Sequence, residues 1–161
     1  DDVRDPRRSG HLRDTLERLL ALGALPILNE NDAVATDEIG IETTIGENDT
    51  LSAIVARLVE ADLLILLSDI DGLYTADPHR DPAARLISQV DAITDEIRAL
   101  AGGAGSALAS GGMATKLQAA EIACGAGIDM VIANGQKPEL LYDLFDGKPV
   151  GTRFLGRRET E

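Results

Sequence analysis

Seven consecutive residues, Ser110-Gly111-Gly112-Met113-Ala114-Thr115-Lys116, carry the ingredients of an anion site. Two adjacent glycines let backbone approach a ligand without a Cβ in the way. The apolar-periodic stretch that follows, residues 114–125, predicts a helix whose first N–H groups and dipole face that ligand. Lys116 adds a full positive charge on the first turn, completing the recipe for phosphate binding. The spacing is not the P-loop pattern, so a P-loop fold does not follow. On this stretch alone, a glycine-rich helix start with a solvated lysine fits the residues equally well.

Three further polar clusters stand at comparable places. Asn29-Glu30-Asn31-Asp32 follows the apolar run 25–28, Asn48-Asp49 opens a second amphipathic segment, and Ser68-Asp69-Ile70-Asp71-Gly72 follows Leu63-Leu64-Ile65-Leu66-Leu67. Carboxylates, amides and a phosphate-type loop are the groups that phosphoryl transfer needs, because its catalysis is mostly positioning plus charge stabilisation. Nucleophilic catalysis has no support. There is no Gly-x-Ser-x-Gly elbow, and His11 and His79 are far from each other and from any candidate serine. Cys124, the single cysteine, sits in an apolar run and reads as buried filler, which excludes an internal disulfide and fits an intracellular setting. No His/Cys cluster has metal-ligand spacing.

The elements that must position these groups alternate. Helical periodicity predicts helices over 9–22, 48–60, 94–101, 114–125 and a last one with Pro138 in its first turn. Apolar runs predict buried strands at 25–28, 63–67 and 130–133, a final strand at 150–154 and a possible edge strand at 85–87. The β-branched segment 37–47 predicts a hairpin or flap beside the site. Alternation of this kind defines an α/β fold. Loops at the carboxyl ends of its strands fall on one sheet edge, so the four polar clusters are expected to converge there.

The 161 residues suffice for one domain that buries roughly 70% of its unfolded surface. A formal charge of −13 and few aromatics argue against nucleic acid or an acidic membrane as partner. An anionic ligand must therefore be held locally, and lysine occurs only at positions 116, 137 and 148. No apolar run approaches the ~20 residues of a membrane span. The opening Asp1-Asp2-Val3-Arg4-Asp5 reads as the middle of a loop, and the chain is expected to be part of a longer polypeptide.

Taken together, Asn29-Glu30-Asn31-Asp32-Ala33-Val34, Asn48-Asp49-Thr50-Leu51-Ser52-Ala53, the run from Ser68 through Asp71-Gly72-Leu73-Tyr74-Thr75-Ala76-Asp77-Pro78, and Gly111 through Lys116-Leu117-Gln118-Ala119-Ala120 resemble the glutamate 5-kinases of the amino acid kinase superfamily. The resemblance covers nearly the whole chain in order. The last two motifs are shared with uridylate and isopentenyl phosphate kinases, so the first two carry the substrate assignment. The resemblance implies a mostly parallel sheet with helices on both faces, residues 1–161 being a partial amino acid kinase domain without its N-terminal portion.

What the resemblance implies for activity is transfer of the ATP γ-phosphoryl group to the side-chain carboxylate of L-glutamate, with Mg²⁺, as the first step of proline biosynthesis in the cytoplasm. On the family pattern Asp32 and Asn48 bind glutamate, and Asp49 orients the catalytic lysines. Ser68 and Asp69 bind the nucleotide. Ser110, Gly111, Gly112, Met113, Ala114, Thr115 and Lys116 form the ATP loop, with Lys116 the cation on the transferring group. Proline as feedback inhibitor and a homo-oligomer are further family expectations. The flap 37–47 is a few residues longer than the family norm. The family's N-terminal glycine-rich segment, second catalytic lysine and glutamate-binding serine are not in this sequence, so this chain alone is expected to be inactive. The alternatives are a sister kinase for uridylate or a small phosphate, a non-catalytic nucleotide-binding module, and a nucleotide-sugar transferase using Asp69-x-Asp71 as a metal pair.

Overall fold

Residues 6–28, 48–102 and 111–157 are described by a computed structural model. The cluster 29–32, the predicted flap 37–47 and Ser110 lie outside the described residues.

The most buried strand is β3 (Asp129–Asn134), in which Met130, Val131, Ile132 and Ala133 are all fully shielded from solvent. It lies between β1 (Leu63–Ser68) and β4 (Thr152–Phe154), and β2 (Gln89–Val90) pairs outside β4, giving the order β1-β3-β4-β2. β1 and β3 run parallel in a six-residue register from Leu63 opposite Asp129 to Ser68 opposite Asn134. β2 and β4 are also parallel, and only β3 and β4 are antiparallel. The α/β class and mostly parallel sheet expected from the sequence are present, with one antiparallel joint.

Two helices pack on β1 and β3 and on each other: α2 (Asn48–Leu58) and α4 (Gly111–Gly125), while α1 (Pro6–Ala21) and α3 (Asp95–Leu100) precede them in turn. The interface of α2 and α4 with the sheet is built from small residues. Ala53, Ala56, Ala119, Ala120 and Ala123 join Leu64, Leu66, Leu117, Met130, Ile132 and Phe154 in one core cluster. Small side chains let helix backbones come close to the sheet, so dispersion contacts replace bulky fillers. Leu12 of α1 packs on Leu51 and Ile54 of α2, and Arg13 reaches Glu60 at 2.7 Å. Thr94 caps α3, its hydroxyl accepting from the Ile97 N–H.

Several expectations need correction. Residues 25–28 form no strand, and Leu25 and Ile27 are 84% and 88% exposed. An apolar run becomes a strand only where a neighbour accepts its backbone hydrogen bonds, and no described strand pairs with this one. β1 is not the wholly buried strand that its apolar run predicts. It is an edge within the described sheet, paired on one side only, so Leu64 and Leu66 are buried while Leu67 is 47% exposed. The outer strand falls at 89–90 rather than 85–87, because the pairing with β4 fixes it there; Leu86 makes a single bridge to Tyr74. The last helix, α5 (Leu140–Phe145), buries none of its apolar residues fully. α4 begins at Gly111, three residues earlier than its apolar periodicity indicates, because glycine carries no hydrophobic signal.

Gly151 turns the chain into β4 at φ +60°, and a Cβ there would be driven into the Ile132 carbonyl oxygen. Gly151→Ala therefore lowers the melting temperature by roughly 5 °C or more, read by thermal denaturation. The Cys124 thiol is pushed up to about 11, chiefly by burial and then by nearby Asp129. Because the folded value is raised, the thiol stays protonated where an unfolded chain would ionise. Its contribution to stability is thus lost as pH rises from the ordinary thiol range to about 11. Iodoacetamide at about pH 8, near the ordinary thiol value, is expected to label Cys124 only after denaturation.

Candidate active site

The candidate site starts from the way α2 and α4 enter the sheet. Each helix leads through a short connection into the strand it packs on, from Leu58 to Leu63 and from Gly125 to Asp129. Such a helix runs back along its strand, so its N-terminus lies at the strand's carboxyl end. Because β1 and β3 are parallel and in register, both helix starts and both post-strand loops share one edge.

At that edge Asp49, in the first turn of α2, faces Lys116 of α4. Lys116 Nζ donates to Asp49 Oδ2 at 2.9 Å, and both side chains are largely buried, 12% and 21% exposed. The Thr115 hydroxyl lies 3.0 Å from the same oxygen and 3.0 Å from the Gly112 carbonyl. With one proton to give, it donates to one of these acceptors at a time. A largely buried ion pair of this kind holds a flexible lysine in one place, which a solvated lysine on a helix start would not require. The N–H groups of Gly111, Gly112 and Met113, in the first turn of α4, lack acceptors within the helix and face the same end. Gly112 and Ala114 are exposed, whereas Met113 packs against the core and has only its backbone to offer there.

The loop after β1 is fastened independently. The Ser68 hydroxyl donates to Asp69 Oδ1 at 3.1 Å, and the Ser68 carbonyl accepts from the Gly135 N–H at 2.7 Å, tying the loops after β1 and β3 together. Asp71 accepts from Asn134 Nδ2 at 2.8 Å and from the Tyr74 hydroxyl at 3.0 Å. These donors hold its carboxyl below the ordinary range, Asn134 most, and the contact with Asp71 raises the Tyr74 phenol. Both Asp71 oxygens are thus taken by protein donors, which suits loop fixing rather than a metal pair with Asp69. Among the described residues no three acidic, histidine or cysteine side chains gather as a metal cage.

Of the residues singled out in the sequence, the structure brings Asp49, Thr115 and Lys116 into one contact and Ser68 with Asp69 into another. Asn48 is exposed at the start of α2, its carbonyl accepting from the Ser52 hydroxyl at 2.7 Å. Asp32 and Ser110 lie outside the described residues. The roles of Asn134 and Tyr74 were not read from the sequence. An Asn-Gly pair at 134–135 marks a turn by its residue types, but nothing local names its spatial partner.

The chain belongs to the amino acid kinase family, whose family model matches residues 2–134. Its curated relatives include glutamate 5-kinases from Photorhabdus laumondii, 55% identical over 155 residues, and Deinococcus radiodurans, 56% identical over 155 residues. Each alignment takes in 96% of this chain but only 41% and 42% of the relative, so the chain spans about two fifths of their length. For the glutamate 5-kinase of Listeria innocua the identity is 50%, across 98% of this chain and 58% of that protein. Among solved structures, carbamate kinase from Giardia lamblia bound to AMP-PNP shares the fold with a TM-score of 0.53 at 24% identity, over 69% of this chain and 36% of that one.

The Asp71 contacts make a direct prediction. Hydrogen bonds to an ionised carboxylate favour that form, so Asn134→Ala moves the Asp71 titration upward towards the ordinary carboxylate range, and Tyr74→Phe moves it upward by less. Carboxyl NMR titration reads both.

Proposed function

We propose that this chain is the nucleotide-side portion of an ATP-dependent glutamate kinase of proline biosynthesis. The observation that carries the reading is identity above 50% with glutamate 5-kinases across nearly the whole chain. The largely buried Lys116–Asp49 pair supports it chemically. A side-chain carboxylate oxygen of L-glutamate attacks the γ-phosphorus of ATP, and the bond from that phosphorus to the β–γ bridging oxygen breaks. The products are γ-glutamyl phosphate and ADP. Lys116 stabilises the charge on the transferring group, and Asp49 keeps its ammonium in position between turnovers.

In this proposal Asp32 and Asn48 hold the α-amino and α-carboxylate groups of glutamate. Ser68 and Asp69 hold the nucleotide, and residues 110–116 wrap its phosphates through backbone N–H groups. The same fold in the Giardia carbamate kinase carries AMP-PNP, an ATP analogue. Mg²⁺ would enter this site with the nucleotide. It supplies charge neutralisation of the phosphates. No described helix is long and apolar enough to cross a membrane, in keeping with the proposed cytoplasmic location. A homo-oligomer and inhibition by proline complete the proposal.

Glutamate-dependent ADP release is the test, made on the full-length protein carrying this chain and on the 161 residues alone. Turnover is expected only with glutamate present, and the isolated chain is expected to fall short by about 10³-fold or more, the scale of losing a cation from such a site. Lys116→Ala in the full-length protein should collapse kcat on the same scale with little change in the KM for ATP. ATP turnover indifferent to glutamate would remove the substrate assignment, and a sister kinase would then show dependence on uridylate or another small phosphate instead.

A further inference from the structure

Thr152 is fully buried on β4, yet it is polar, and its hydroxyl is used twice. It accepts from the Leu73 N–H at 2.8 Å and donates to the Ile87 carbonyl at 2.6 Å. Ile87 N–H in turn donates to the Leu73 carbonyl at 2.8 Å. Leu73 and Ile87 therefore face each other like a hydrogen-bonded antiparallel pair in which one of the two direct bonds is replaced by an inserted side-chain hydroxyl. The insertion sets the spacing of the two strands of chain. It also leaves no room at Gly72, where a Cβ would lie 2.5 Å from the Thr152 hydroxyl oxygen.

Leu73 directly follows the turn 68–72 and directly precedes Tyr74, whose hydroxyl holds Asp71. The turn is thus fastened at Ser68 by Gly135, at Asp71 by Asn134 and Tyr74, and at Leu73 by Thr152. Of these fasteners only Thr152 is sealed in the core, where no water can take its place.

We infer that Thr152 is a positioning residue for nucleotide binding: its hydroxyl, through Leu73, fixes the height and tilt of the turn that presents Ser68 and Asp69. The inference rests on the proposed role of those two residues in holding the nucleotide. Thr152 itself touches no ligand, being enclosed by the core. Its loss is expected to act on the nucleotide and to spare glutamate, whose proposed groups Asp32 and Asn48 belong to other segments.

The test uses the full-length protein, with ADP binding by calorimetry and the KM values for ATP and glutamate as readouts. Thr152→Val keeps the shape and removes the hydroxyl, and is expected to weaken ADP and raise the ATP KM about tenfold, with the glutamate KM within about twofold. Thr152→Ser keeps the hydroxyl and is expected to restore ADP affinity to within about threefold of the parent, even where its melting temperature falls. Unchanged ADP affinity in Thr152→Val, equal weakening by Val and Ser, or equal effects on both substrates would each overturn the inference. Should Thr152→Val fail to fold, Thr152→Cys, with a weaker donor and acceptor, must still weaken ADP by at least about threefold for the inference to stand. Asp69→Ala separates the two levels. If it leaves ADP binding unchanged, the nucleotide role of the turn fails and the inference falls with it. If it weakens ADP while Thr152→Val does not, Thr152 alone is overturned.

Discussion

The parallel ladder between β1 and β3 is the constraint on which every candidate group depends. Its register from Leu63–Asp129 to Ser68–Asn134 ends both strands at the same level, so the loops that follow start side by side. The Gly135 N–H on the Ser68 carbonyl extends that pairing one step past the strands. A shift of one residue would turn the side chains of β1 to the other face, trading buried Leu64 and Leu66 for Leu63, Ile65 and Leu67. It would also carry Ser68 and Asp69 out of step with Asn134. The helices inherit this order, because α2 and α4 each run back from the strand they feed.

Electrostatics then decides what the edge can do. The chain is strongly acidic, and a phosphate approaching it meets net repulsion. Lys116 is a cation fixed at that edge. Held against Asp49 in a largely buried position, its ammonium keeps a fixed place without being free to pair along the acidic surface. Asp71 shows the opposite use of a carboxylate: its oxygens are spent on Asn134 and Tyr74, and it serves to shape the loop. Two aspartates near the same sheet edge thus carry different duties because different elements face them.

The Thr115 hydroxyl, shared between Asp49 and the Gly112 carbonyl, connects the ion pair to the backbone of the glycine-rich helix start. Thr152 makes a comparable link deep in the core, from β4 to the loop after β1. Both are single hydroxyls placed between two neighbours, and Thr152 lies where the Leu73 N–H and the Ile87 carbonyl would otherwise lose that partner inside the core.

Much of this was legible in the order of residues. Apolar runs placed β1, β3 and β4, helical periodicity placed α1, α2 and α4, and polar residues at their ends marked Asp49, Ser68, Asp69 and Lys116, because burial patterns and strand-end loops are local features of a chain. What stayed hidden involved partners distant in sequence. The segment 25–28 has the composition of a buried strand, yet composition cannot supply a neighbour to pair with. Alanines 53, 56, 119, 120 and 123 carry little hydrophobic signal, and only the close approach of two helices to a sheet gives them their weight. Asn134 with Asp71, and Thr152 with Leu73, stand 63 and 79 residues apart, and only the tertiary fold brings each donor to its acceptor. The order of residues settles which groups exist and which element each one ends. Which of them meet is settled by folding in three dimensions, since hydrogen bonds and ion pairs act over a few ångströms and take no account of separation along the chain.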